Sequence, residues 1–138
     1  MNFNTTRRSA LMSLTICALP IGADAKDDDT KSGTPLVIEL SKIALPLVRN
    51  GVLINYLFGV LQIQVSDAAS TFYLRAQHYL LRDAIIRIAS RSPVPAGSAP
   101  RSFDRVAVTR IVMQAVQAVR PSTRVVNVRL EEATFLRG

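Results

Sequence analysis

The chain has 138 residues, with 17 Lys and Arg against 10 Asp and Glu, a net charge of +7, one cysteine and one histidine. That length suits a single domain with its own apolar core. One cysteine excludes an internal disulfide framework, and one histidine beside it excludes the usual tetrahedral zinc sites.

Residues 1–25 divide as an export signal does. Arg7 and Arg8 give a basic start, an uncharged and mostly apolar run follows, and Ala23-Asp24-Ala25 offers the small residues that a signal peptidase accepts. The apolar run of 14 residues from Ser9 is shorter than the roughly 20 a membrane-spanning helix needs. Thr6, Arg7, Arg8 and Leu11 also match the twin-arginine pattern, a receptor-read address, while Ala10 and Met12 depart from it. An ordinary secretory signal is the other reading. Cys17 follows Ile16 rather than a small residue, so it reads as an apolar signal residue and not a lipidation site. The expected location is the periplasm, with inner-membrane association if the signal stays attached. Removing residues 1–25, which hold two arginines and one aspartate, leaves a charge of +6 and no cysteine.

Residues 26–34, KDDDTKSGT, read as a flexible acidic leader. Three adjacent aspartates lack the spaced ligands and glycine turn of a calcium loop. From Pro35 onward the chain becomes apolar. Asn50-Gly51 between two apolar runs is a strong hairpin signal, because both turn positions must accept a positive φ. The spacing predicts strands over residues 43–49 and 52–65, with residues 37–41 a separate strand or the first half of a bent one. Pro46 belongs at an edge or bulge. In the longer strand Leu53, Leu57, Leu61, Ile63 and Val65 should share one face. Ile54, Tyr56, Phe58 and Val60 should share the other, so the turn end is apolar on both sides. That end is either buried twice or left as a patch for a partner. Gly59 marks a bulge or a close backbone approach.

Ser66-Asp67 offers an N-cap for a long helix reaching about Ser90. Tyr73, Leu74, Gln77, Leu80, Leu81, Ala84, Ile85 and Ile88 fall on one arc, and Arg75, His78, Arg82, Asp83, Arg87 and Ser90 on the other. Tyr79 and Ile86 are apolar exceptions on the polar arc, seven residues apart. They are a contact stripe or ordinary surface residues. Residues 91–102 carry three prolines and a glycine and read as a loop. A second helix is predicted from about Asp104 to Arg120, with Val108, Ile111, Val112, Ala115 and Val119 as its apolar stripe. A closing strand should turn Val126, Val128 and Leu130 inward. The order β–β–α–α–β makes residues 35–138 a single small α+β domain, two amphipathic helices packed on a small sheet.

The basic balance comes mostly from arginine. Nucleic acid is not an expected partner, since no aromatic binding strand or glycine-rich loop accompanies it and the signal points to export. Anionic lipid headgroups, acidic polymers or an acidic protein suit it better, as do arginines that are merely solvated. Arg75 and Arg82 align on the first helix, while Arg87 lies well round it. No cofactor is expected, and no catalytic or metal-binding grouping stands out. Asp67 and Asp104 read as helix starts, Glu131 and Glu132 should point to opposite faces of a strand, and a general acid–base pair needs two groups in one cleft.

The stretch YLFGVLQIQVSDAASTFYLRAQHYLLRDAIIRIAS, the second helix and then RVVNVRLEEATFL resemble the flagellar basal-body FliL family over residues 55–136. The likeness lies in the Asp-capped helix, its Leu81-Arg82-Asp83-Ala84-Ile85-Ile86 segment, and the strand that closes the domain. The resemblance implies a periplasmic, non-enzymatic domain that assembles into a ring and supports the stator of the flagellar motor, with a fold similar to stomatin-like membrane scaffolds. Family members usually keep an N-terminal transmembrane helix, where this chain has a short apolar run with a peptidase-like site. The expected function is that of an exported, non-catalytic interaction or assembly module of the envelope. Its contacts would be made by Tyr56, Phe58, Arg75, Tyr79, Arg82 and Ile86, with self-association through the apolar hairpin. The alternative is a periplasmic binding protein for an acidic ligand or polymer.

Overall fold

The computed structural model describes residues 36–136, all within one compact unit. The signal segment with Arg7, Arg8, Leu11, Ala23 and Ala25, and the acidic leader, lie outside the described residues.

Two long strands, β1 (Val37–Arg49) and β2 (Val52–Val65), form an antiparallel hairpin. Asn50 at φ 52° and Gly51 at φ 76° make its turn, in the left-handed backbone that a two-residue hairpin loop requires. Residues 37–41 are not a separate strand. They belong to β1, whose register slips between Leu40 and Ile43, so that Ser41 and Lys42 together oppose Val60. Lys42 has φ 57°, and the bulge bends the strand.

Helices α1 (Ala68–Ala76) and α2 (His78–Arg91) follow, then the two-residue strand β3 (Val94–Pro95), helix α3 (Arg105–Val119) and strand β4 (Val125–Phe135). The sheet order is β3-β1-β2-β4, with β3 parallel to β1 and β4 antiparallel to β2. The domain is therefore mixed α+β, in the predicted order with two additions. One is β3, a strand inside the proline-rich segment, held where Ala96 N–H donates to Val48 O at 2.8 Å. The other is a break that divides the first helix at Gln77, whose φ of −104° and ψ of 29° leave helical geometry. Neither proline nor glycine stands there. His78 Nδ1 lies 3.2 Å from the Arg75 carbonyl, a side-chain contact at an acceptor of the broken turn.

All three helices cover one face of the sheet. Ile38, Leu40, Ile43, Leu45 and Leu47 from β1 meet Leu57, Leu61, Ile63 and Val65 from β2 in the core. Leu74, Leu81, Ile85 and Ala89 come from α1 and α2, and Val108, Ile111, Val112, Ala115 and Val116 from α3. Burying such side chains contributes about 1.5–3 kcal/mol each before entropy is counted. Tyr73 and Leu80, predicted on the buried arc, are exposed. The stripe is narrower than its periodicity suggests: α2 packs mainly on β1 and α3, and on α1 the Tyr73 ring is met by the Arg120 guanidinium 4.8 Å from its centroid.

Leu53 is a larger correction. It does not join Leu57 and Leu61 in the core and is half exposed. Between Leu47 and Val48 the register slips, so Asn55 opposes Leu47 while Leu53 opposes Val48, leaving Ile54 as an extra residue. One extra residue reverses the side-chain alternation beyond it. The same effect moves Val126 outward: a slip between Gln64 and Val65 leaves it without a partner in β2. Val125, Val128, Leu130 and Phe135 pack against the core instead.

Gly59 serves both purposes that its position suggested. A Cβ there would lie 2.7 Å from Leu130 Cδ1 and 2.8 Å from the Glu131 carbonyl oxygen. Opposite it β4 bulges at Glu132 and Ala133, with Glu132 at φ 52°. Bulges on both neighbours of β2 thus fall at one level, and curl the sheet there. No helix among the described residues is long and apolar enough to cross a membrane.

Candidate functional site

The face of the sheet turned away from the helices changes character along its length. At one end Val37 pairs with Gln64 and Gln64 with Asn127; next come Glu39 with Gln62 and Gln62 with Arg129. Gln62 Nε2 donates to Glu131 Oε2 at 3.1 Å on the same face. Toward the turn the pairs become Ala44 with Phe58, Pro46 with Tyr56 and Val48 with Leu53. Leu53 is 49% and Tyr56 38% exposed, and Ile54 is also open. The rings of Tyr56 and Phe58 lie 6.5 Å apart and tilted, a geometry that aromatic pairs favour. No described element covers this end, so it forms an apolar patch beside a polar one.

Local chemistry holds the patch in place. Val48 O accepts from Ala96, so it points away from β2. Backbone groups two residues apart in a strand point the same way, so the missing N–H of Pro46 also faces away from β2 and costs the hairpin no bond. Asn55 Oδ1 accepts from Tyr56 N–H at 2.7 Å, and Asn55 Nδ2 donates to Leu136 O at 3.2 Å. Those two bonds tie the bulge to the end of β4.

The other named residues sit elsewhere. Tyr79 and Ile86 are exposed on α2, in the helical layer, and do not join Tyr56 and Phe58 on the open sheet face. Phe72, seven residues before Tyr79, is 78% exposed and lies on α1, across the break at Gln77. The heptad spacing that singled out Tyr79 and Ile86 carried the same signal for it. Arg75 donates from Nε (3.0 Å) and Nη2 (2.6 Å) to Val37 O, and Arg82 Nη2 donates to Ser41 O. Both arginines therefore cap backbone acceptors of β1, with His78 between them, around a shallow cleft of about 360 Å³ that Glu39 also lines. Arg87 pairs with Asp83, one helical turn earlier, and does not reach that cleft.

Asp67 and Asp104 are occupied in structural work. Asp67 accepts from Ser70 N–H at 2.7 Å at the start of α1. Hydrogen bonds from the Ser70 backbone, then from its side chain, hold the Asp67 carboxyl below its ordinary range, with Arg120 adding a smaller attraction against a slight desolvation penalty. Asp104 caps α3 through Val106 N–H at 2.9 Å and Ala107 N–H at 3.2 Å. Among the described residues no three His, Asp or Glu side chains come together as a metal site. No protein-family model matches this chain, and no curated protein or solved structure matches it either.

Proposed function

We propose that this protein is an exported, non-catalytic assembly module of the cell envelope, working in the periplasm through the open end of its β1–β2 hairpin. The apolar patch of Leu53, Ile54, Tyr56 and Phe58, uncovered by any described element, carries this reading. Exposed apolar clusters of this kind, bordered by polar residues, serve as contact surfaces. The export signal in residues 1–25 supports the location. The resemblance to the flagellar FliL family supports a motor-associated role and makes flagellar-motor proteins the first partners to test. A membrane surface is a further partner compatible with the arginine-rich composition. The rival reading, a binder of acidic ligands through Arg75 and Arg82, has less behind it, because both side chains already donate to β1 carbonyls.

Photo-crosslinking in intact cells tests the proposal, with a crosslinking residue at Tyr56 and a control at exposed Arg91. Covalent adducts to an envelope protein from position 56 and none from position 91 are expected. Leu53→Asp should abolish those adducts while the protein still folds. Equal labelling from both positions would remove the reading.

A further inference from the structure

An edge strand presents unpaired N–H and C=O groups, and stable proteins shorten, cover or charge such edges. β4 has 11 residues with no proline or lysine among them, and its charges are of both signs, Arg129 against Glu131 and Glu132. Among the described residues, no backbone hydrogen bond is made on the side of β4 away from β2. Beside it runs a groove of about 300 Å³ between β4 and α3, lined by Phe103, Arg105 and Thr109 on one side and by Arg129, Leu130 and Glu131 on the other. Thr109 also borders an apolar depression on the outer face of α3, where Val106 is 66% and Met113 45% exposed. The open backbone edge and the apolar helix face are thus contiguous.

We infer that β4 pairs antiparallel with β4 of a second copy of this chain, about a two-fold axis through Leu130 and perpendicular to the sheet. Because β4 slips at Val126 and bulges at Glu132 and Ala133, the regular ladder across the dimer is short and centred on Arg129, Leu130 and Glu131, with the two α3 helices side by side beneath it. Charge sets the register. Arg129 opposes Gln62 and Glu131 opposes Val60, which puts both on the open face, one on each side of Leu130. Because side chains alternate, an axis that keeps both sets of helices on one side must pass through a residue position. At Leu130 it sets each Arg129 opposite the partner's Glu131, twice over. At Arg129 it would oppose two arginines, and at Glu131 two glutamates, both unfavourable cross-strand pairs. Gln62 already holds Glu131 on that face through Oε2, so Oε1 is the oxygen presented to the partner's arginine. This interface is separate from the hairpin patch, which stays exposed in the dimer.

Sedimentation equilibrium on residues 26–138, which contain every described strand and helix, tests the inference. The wild type should dimerise with rising concentration. Arg129→Glu and Glu131→Arg should each weaken the dimer by about tenfold or more, while the double variant R129E/E131R should return to within about threefold of wild type. Urea midpoints matching wild type show that the single variants remain folded. A wild type that stays monomeric at millimolar concentration, or single variants that dimerise as it does, overturns the inference. Leu53→Asp, at the hairpin, should leave the dimer intact. If it alone abolishes self-association, the β4 interface is wrong and the hairpin reading stands.

Discussion

Along its outer edge β1 gives up Val37 O and Ser41 O to Arg75 and Arg82 and pairs Leu47 and Val48 with β3. At the opposite side of the sheet β4 runs from Val125 to Phe135 with α3 beneath it and no described backbone group bonded to its outer edge. Both strands are long, and both carry a bulge with one non-glycine residue at positive φ. They differ in what stands next to them. Arg75 from α1 and Arg82 from α2, together with a short strand from a proline-rich segment, close one edge. The other edge has arginine and glutamate at alternate positions, which attract the same strand from another copy as readily as they keep strangers away. Protection against aggregation and provision for assembly thus come from the same elements, differing in whether the charge is used within the chain or left at the edge.

The largest expected effect on this contrast comes from Gly59→Val. The added side chain would meet Leu130 and, at 2.8 Å, the carbonyl oxygen of Glu131, and a backbone atom in a ladder cannot move aside cheaply. A loss of about 2–3 kcal/mol is expected in urea unfolding, with β4 loosened before β1. Unchanged stability would mean that the tight approach of β4 to β2 is not needed. Arg82→Ala should cost less, about 1 kcal/mol, through the bond to Ser41 O, but it should also uncover β1. New self-association that persists in Arg129→Glu/Arg82→Ala is the expected sign, and its absence would reduce Arg82 to a bystander.

The smallest effect is expected from pH. Asp67 caps α1, the helix that carries Arg75 over β1, and its carboxyl is held below its ordinary range in the folded chain. A carboxyl depressed by folding contributes stability that is present above its unfolded pKa and lost as pH falls through the folded one. The stability advantage of wild type over Asp67→Asn should therefore be present at neutral pH and shrink on acidification. Hydrogen exchange should show the loss around α1 and the start of β1, leaving β4 unaffected. A difference that does not change with pH would assign the cap to geometry alone.

Much of this architecture was legible from local chemistry. Asn50-Gly51 specified the hairpin because few other pairs accept two successive positive φ values, Asp67 and Asp104 started helices because their side chains satisfy exposed N–H groups, and the 3.6-residue stripe of α3 named its buried face. The apolar open end of β2 was visible in Tyr56 and Phe58, whose alternation put them opposite Leu57. What failed was alternation across a slip. Counting twos places Leu53 with Leu57 and Val126 with Val128, but Leu53 lies beyond a bulge that reverses the count and Val126 is itself the extra residue of a slip.

The sequence alone determined the α+β class, the turn, the helix starts and the inward residues of each unbroken stretch, because these rest on preferences within a few neighbouring residues. Only the tertiary structure decided where the ladders slip, that the first helix breaks at Gln77, and that Arg75 and Arg82 spend their donors on β1. The two arginine bonds depend on partners 38 and 41 residues away, as the curl of the sheet depends on Gly59 meeting Leu130. No local preference encodes contacts at that separation, and they are what make one edge of the sheet closed and the other open.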